Sequence, residues 1–470
     1  MIRDFFRLAE HDTVMGTEIA AGVTTFLTMA YIIFVQPAVL SGSMLGIDTG
    51  MDAGAVTTAT CLAAALATAV MGLFARYPIA LAPGMGQNFF FVVTAIPVAA
   101  AAGVAEPWRA ALGAVFVAGM LFLLLSLLGV RKQLLETVSP SMKQGIAVGI
   151  GLFIAFIGLR NGQLIWADPA TAVRLNPVLA SPDTLVFLIG FLTGAVLHAR
   201  RVVGSIMWGM AAALAATLIF KAVIPLLPTG MADSPALAGS LLATQFKLAD
   251  GLVAVPPSLG PTFLRMDIAA ALTGPMIPIV IMFLFMDVFD TMGTLIGVGT
   301  QAGLMRNGKL PRVERAMLSD ALGTVAGAAL GTSTVTSYIE SAAGVEHGGR
   351  TGLTAVTVSV LFLLALFFYP VIAMVGSYPP ITAPALVLVG VMMARNVTRM
   401  EWSDLTEAIP GFLVMVGIPF FYSIADGIAL GLVTYPVVKS LGGKGRDVSA
   451  GMWLLAALLV VYYVAVRTTV

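Results

Sequence analysis

Charge is scarce in this sequence. Asp, Glu, Lys and Arg make up 10% of its 470 residues, against 59% hydrophobic residues. Ordinary soluble domains carry about 25% charged residues, so a chain this poor in charge cannot cover a soluble surface. The mean hydropathy of +0.98 excludes a disordered chain, which needs the opposite balance. Cysteine is nearly absent: Cys61 stands alone, and no internal disulfide framework can form. The histidines are His11, His198 and His347, too few and scattered for a metal cluster, so no metal is expected. The phosphate loop GxxxxGK(S/T), HExxH and paired CxxC patterns are also missing. The hydroxyl-rich stretch 331–337 has no base beside it, and neither an enzyme nor a cofactor is expected. A net charge of +1 gives no reason to expect a nucleic-acid partner.

What is present is apolar sequence in spans. At about 20 residues per span, the length accommodates roughly 12–15 membrane helices. Apolar segments fall at 17–39, 53–74, 79–101, 107–129, 138–160, 182–199, 203–225, 268–299, 316–331, 332–346, 351–374, 380–394, 406–424, 425–440 and 450–467. The first 13 residues are charged and amphipathic. They read as an interfacial helix, not as a cleavable signal peptide. Basic turns carry Arg76, Arg131 with Lys132, Arg200 with Arg201, the set Arg306, Lys309, Arg312 and Arg315, and Arg395 with Arg399. Counting spans between them places all on one side, which the positive-inside rule makes cytoplasmic. A plasma-membrane (inner-membrane) protein with its N-terminus in the cytoplasm, in contact with membrane lipid, is expected.

The Pro-rich loop 226–265 then lies outside and divides the chain into halves, 1–225 and 266–470. Seven spans in each half would run antiparallel in the membrane, the inverted-repeat layout of many secondary transporters. Two segments break the helical pattern at similar places in these halves. One is 78–91, with Pro83, Gly84 and Gly86. The other is 331–346, rich in Ser and Thr and holding Glu340. Interrupted segments in corresponding positions point to a site near the midplane. Non-helical backbone at that depth must be buried in protein or line a cavity.

Asp287 and Asp290 sit mid-span in MFLFMDVFDTMGTL. An ionised Asp at the bilayer centre costs about 2.5–3.5 kcal/mol on insertion scales, and such residues mark ion or substrate pathways. Their spacing places them on roughly one helix face, with Thr294 a turn beyond. The alternative for each is a structural bond to a neighbouring helix. Glu340 can accept N–H donors from a neutral ligand or hold a proton. Its alternative is a helix N-terminal carboxylate stabilised by the dipole. Asn88 offers a donor and an acceptor, or serves as an N-cap. Gly86 suits close backbone approach to a ligand. The runs Phe89, Phe90, Phe91 and Phe283, Phe285 read as packing or lipid-facing residues.

These stretches carry a resemblance. APGMGQNFFF at 82–91, FMDVFDTMGTL at 285–295, GTSTVTSYIESAAGVEHGGRTGLTA at 331–355 and the opening FFRLAEHDTVMGTEIAAGVTTFLTMAYIIFVQP resemble the nucleobase:cation symporter-2 (xanthine/uracil permease) family. The match is best to its AzgA-like branch of adenine, guanine and hypoxanthine permeases. The resemblance implies an all-α polytopic fold of 14 transmembrane segments in 7+7 inverted repeats, with short strands in broken segments 3 and 10. It implies a core domain (1–130 and 266–375) moving against a gate domain (131–265 and 376–470), in a homodimer. Segment 450–467 is one more than fourteen. The family's substrate-binding acid in segment eight falls on Asp290, followed by Gly293 and Thr294; the segment-ten carboxylate falls on Glu340 and the segment-three asparagine on Asn88. Uracil relatives tend to carry His where Thr294 stands, which argues for purines.

The expected activity is uptake of a purine nucleobase by proton symport, with Na⁺ as the alternative coupling ion. Asn88, Gly86, Asp290, Thr294, Thr336, Ser337 and Glu340 bind the base, and Asp290 and Glu340 couple the proton. The rival is an anion transporter or channel of the same fold, which needs positive potential at its site. Two carboxylates argue against it.

Overall fold

The computed structural model describes residues 2–128, 138–226, 237, 239–305, 310–461 and 463. The expected turn residues Arg131, Lys132, Arg306 and Lys309 lie outside the described residues, as do 227–236 and 238 of the long loop and most of 462–470.

Helices dominate. The first span is two helices, α1 (Met15–Met29) and α2 (Ile32–Leu40), followed by α3 (Ala53–Val70). Strand β1 (Leu81–Pro83) leads into a half-helix, α4 (Met85–Phe90). Then come α5 (Pro107–Leu128), α6 (Pro140–Asn161), a hairpin of β2 (Ile165–Asp168) and β3 (Ala172–Leu175), α7 (Pro182–Ala199) and α8 (Ser205–Val223). The second half holds α9 (Ile277–Gln301), α10 (Val313–Leu330), β4 (Val335–Ser337) and the half-helix α11 (Ser341–Glu346). It closes with α12 (Gly352–Ala365), α13 (Pro379–Ala394), α14 (Leu405–Phe420), α15 (Ile424–Lys439) and α16 (Ala450–Val461). Among the described residues, ten helices are long and apolar enough to cross a membrane. The β2–β3 hairpin lies in the connection 161–181, where the sequence reading placed no structure. The N-terminal stretch is two short turns, Ile2–Phe5 and Leu8–His11.

Successive spans carry Arg76, Arg200, Arg312 and Arg395 to one end of the bundle, here the basic face. The β2–β3 hairpin marks the opposite, hairpin face.

The helices pack in two groups. In one, α1 and α3 lie on α12, α3 and α5 on α10, and α9 on α5. In the other, α6 lies on α13 and α14, α7 on α8 and α13, and α15 on α14 and α16. Glycine explains how close the helices come. Between apolar helices in lipid, association rests on van der Waals packing, which favours small residues at the contact. A Cβ on Gly352 would stand 1.9 Å from the Gly72 carbonyl oxygen, and a Cβ on Gly390 would stand 2.5 Å from that of Gly151.

A strap crosses the hairpin face from one group to the other. The buried Asp183 carboxylate at the start of α7 accepts Leu241 N–H (2.8 Å), Leu242 N–H (3.0 Å) and Tyr378 O–H (2.6 Å). This fixes the helical turn Leu241–Thr244. Further on, the chain is held to the other group. Ala254 N–H donates to Phe367 O (2.9 Å), Thr58 Oγ1 to Pro257 O (2.9 Å) and Leu264 N–H to Ala329 O (2.8 Å).

Candidate functional site

The two broken segments meet in mid-bundle. Pro83 cannot continue a helix backwards through β1, because it lacks an N–H. Gly84 is extended (φ −74°, ψ 130°) and starts α4. In the second half, Gly331 ends α10 at φ +101°, and a Cβ there would strike Thr262. The β-branched residues Thr332, Thr334 and Val335 then favour extended chain. β1 and β4 pair antiparallel, with Leu81 opposite Ser337, Ala82 opposite Thr336 and Pro83 opposite Val335.

Two strands leave two edges unpaired, and buried backbone groups must find partners. Neighbouring spans supply them. Thr68 Oγ1 of α3 lies 2.9 Å from both Leu81 N and Leu81 O. Thr324 Oγ1 of α10 lies 2.9 Å from Val335 O. Gly84 N–H also donates to Thr334 O (3.0 Å), Tyr338 N–H to Ala80 O (2.9 Å) and Ala80 N–H to Ser341 Oγ (3.0 Å).

The carboxylates on α9 part ways. Asp287 is buried (1% exposed) and accepts Thr324 Oγ1 at 2.8 Å, the structural bond to a neighbouring helix. Asp290 is exposed and accepts Gln87 Nε2 from α4 at 3.3 Å. Three residues correspond to about 300° of helix turn, enough here to divide a packed environment from an open one. Beyond Asp290, Gly293, Ile296 and Thr300 are also exposed, in line towards the basic face. Thr294 is buried.

Glu340 stands at the N-cap position of α11 without a side-chain cap bond. Its Oε1 instead accepts Tyr31 O–H at 2.8 Å, from the junction of α1 and α2. Asn88 is not a cap either, since Gly84 opens α4. It is fully buried; its Oδ1 accepts Ser333 Oγ, and its Nδ2 has no protein partner. Gly86 brings α4 close to α6: a Cβ on it would lie 3.0 Å from Ile150 Cγ2. The β4 hydroxyls are engaged by helices, Thr336 with Thr291 Oγ1 (3.1 Å) and Ser337 donating to Asp320 Oδ2 (2.8 Å).

The structure therefore brings Asp290, Glu340, Asn88 and Gly86 to the meeting of the half-helices. Thr336 and Ser337 hold β4 in place, and Thr294 is packed. Sequence reading passed over Gln87, Tyr31, Ser333 and Asp320. Asp320 is a buried carboxylate within a span and carried the same signal as Asp287; Tyr31 and Gln87 carried little beyond being polar near a break. The Phe residues behave as packing groups: Phe89, Phe90, Phe91 and Phe283 are fully buried, with Phe90 edge-on to Phe283 at 4.8 Å. Among the described residues no cluster of three or more His, Cys, Asp or Glu side chains could hold a metal ion.

Half-helices crossing at mid-span, with a reachable carboxylate between them inside an apolar bundle, define a multi-pass membrane transport protein. A family model described as a permease family, that of xanthine and uracil permeases, matches residues 16–430. The chain belongs to that family, the nucleobase:cation symporter-2 family. It is a transporter and not an enzyme. It is 39% identical to the guanine/hypoxanthine permease PbuG of Bacillus subtilis, over 99% of this chain and 100% of that one. It is 40% identical to the adenine permease AdeP of Escherichia coli, over 98% and 95%. In fold it is similar to the transmembrane domain of a cyanobacterium bicarbonate transporter, BicA, with TM-score 0.59, 15% identity and coverage of 88% and 97%.

Proposed function

We propose that the protein takes up purine nucleobases (adenine, guanine or hypoxanthine) by proton symport, with alternating access of a site between Asn88, Gly86, Asp290 and Glu340. The observation that carries this reading is the pairing of an open, mid-span Asp290 with a buried Asn88 whose amide nitrogen has no protein partner. A carboxylate facing lipid is too costly at that depth, so open space beside Asp290 is water-filled. Relatives over the full length are named for guanine, hypoxanthine and adenine, neutral bases whose edges offer N–H donors and ring acceptors. Glu340 keeps Oε2 for such donors while Tyr31 holds Oε1. Thr294, Thr336 and Ser337 complete the wall, through position and backbone more than through free hydroxyls.

Fourteen segments as two inverted repeats of seven support the movement. In that scheme Thr68 and Thr324 are equivalents, each in the span before a broken one and each closing a strand edge. The first packing group, 1–130 and 266–375, is the core domain; the second, 131–265 and 376–470, is the gate. The basic face is cytoplasmic, together with the N-terminus, and the crevice beside Asp290 opens inward in a plasma membrane. Phe89, Phe153 and Tyr422 close the outer side, edge to face at 5.9 and 5.1 Å. Asp290 takes a proton outside and releases it to the inner crevice. A closing gate would otherwise strand an unpaired charge, which is costly; this couples base and H⁺, with Na⁺ the other candidate ion. A homodimer follows the family pattern. An anion carrier is disfavoured by two carboxylates at the site.

The test is uptake of labelled guanine, hypoxanthine and adenine in cells lacking purine transport, with and without a protonophore. Asp290→Asn should abolish accumulation driven by the proton gradient, and Glu340→Gln should raise KM at least tenfold. PH-insensitive accumulation by Asp290→Asn would end the proton role, and wild-type KM in Glu340→Gln would end the ligand role.

A further inference from the structure

A cavity lies towards the hairpin face, at the Tyr422 end of the Phe89–Phe153–Tyr422 aromatic row. It holds about 180 Å³ and is lined by Ser43, Arg160, Asn161, Gln163, Gln245 and Tyr422, among others. Its walls come from both helix groups: Ser43 follows α2, while Arg160 and Asn161 end α6. The strap fixed by Asp183 supplies Gln245 as part of the roof. The polar lining differs from the central site in having no carboxylate. It offers one guanidinium and three side-chain amides.

Gln163 is engaged at both amide atoms, accepting Trp166 Nε1–H (2.9 Å) and donating to Arg160 O (3.4 Å), but Arg160 and Asn161 are less committed. Arg160 Nη1 reaches Tyr422 O–H at 3.4 Å, a long contact, and no carboxylate pairs with Arg160 among the described residues. Asn161 Nδ2 is buried without a hydrogen-bond partner. An arginine in the last turn of a helix complements the helix dipole, which accounts for its charge. It accounts neither for the cavity nor for the unpaired amide of Asn161.

We infer that this outer cavity is a second binding site for the base, selective for 6-oxopurines, and that it loads the central site. The inference rests on the nucleobase reading above. The two adjacent acceptors of a 6-oxopurine, O6 and N7, match the fork of an arginine, while Asn and Gln match the donor–acceptor edge of adenine. Arg160 has donors and no acceptor, so it takes guanine or hypoxanthine by that edge, whereas the adenine N6 amine facing it would find no acceptor. Asn161 meets the remaining edge, and the Tyr422 ring flanks the base.

The test compares initial uptake of labelled guanine and adenine. Arg160→Gln should raise the guanine KM about tenfold, as for a lost bidentate contact. The adenine KM and both maximal rates should stay within about twofold. Arg160→Lys keeps the charge at the helix end but lacks the fork, so it should resemble Arg160→Gln for guanine. If Arg160→Lys restores wild-type KM, or both bases shift equally, the selective site is wrong. Binding in detergent provides the second arm. Glu340→Gln should retain weak guanine binding, and adding Arg160→Gln should abolish it; no residual binding in Glu340→Gln alone would overturn the outer site. A wild-type protein that carries no purine would instead overturn the nucleobase reading beneath it.

Discussion

Tyr31 shows how much of the site rests on single buried bonds. It is 1% exposed, and its hydroxyl proton goes to Glu340 Oε1 across 309 residues of sequence. A hydrogen bond to a charged group contributes about 1.5–3 kcal/mol. Tyr31→Phe should therefore lower the thermal midpoint and free the carboxylate to rotate, raising KM for the base roughly threefold or more. Unchanged KM with a lowered midpoint would reduce Tyr31 to a fold residue. Such partners were not legible beforehand. A Tyr or Gln in an apolar run looks like any packing residue until a carboxylate from the other half of the chain is laid against it. Asp287 and Asp290 were legible as a pair, but their division was not. Which one faced open space depended on where α10 placed Thr324. Asp320, a buried acid within α10, carried the same sequence signal as Asp287.

At the level of elements, the two breaks could be read from the chain because their causes are local. Pro83 with Gly84, then Gly331 followed by β-branched residues, are local helix-breaking signals, although such a pair is not sufficient alone, since Pro410 and Gly411 lie inside α14. The β2–β3 hairpin could not. Its turn has no Asn-Gly or Asp-Gly pair, and Ala172 takes the left-handed conformation (φ +65°) that glycine usually marks. The turn is held instead by Asp168, whose Oδ1 accepts Ala170 N–H (2.9 Å) and Thr171 N–H (3.1 Å). Those backbone bonds, with Arg174 adding to them, hold its carboxyl below the usual carboxylate range. A lowered folded pKa means the stabilisation is present above the unfolded value of about 3.9 and is lost as pH falls through the folded one. Amide exchange in 168–175 should be constant from pH 7 to 5, after correction for intrinsic rates, and should accelerate below about pH 4. In Asp168→Asn the acid step should vanish. An acid step that survives that substitution would place its origin elsewhere.

For the molecule as a whole, composition fixed the class and little more. The glycines turn out to act in two ways, at a few breaks and at many helix contacts, and only the contact partners distinguish them. The crevice direction can be tested through this shape. Gly293 is exposed, and a Cβ there meets nothing within 4 Å. The single native thiol, Cys61, is buried and offers a quiet background. Gly293→Cys should react with a membrane-permeant maleimide and, in inverted vesicles, with an impermeant one, and guanine should slow the reaction. Labelling from outside intact cells would reverse the assigned opening.

The strap over the hairpin face has a mechanical meaning. Lys247 N–H donates to Ser377 Oγ (3.2 Å), just before α13, and Ala254 N–H to Phe367 O (2.9 Å), just after α12; six residues lie between these attachments. A fully extended stretch of that length spans about 20 Å. In the proposed core-and-gate movement that length would be a leash: it would permit a few ångströms of sliding or a modest tilt and stop the two helix groups from drifting apart in the bilayer. A protease cut within 248–253 would leave every site residue in place and remove only that restraint.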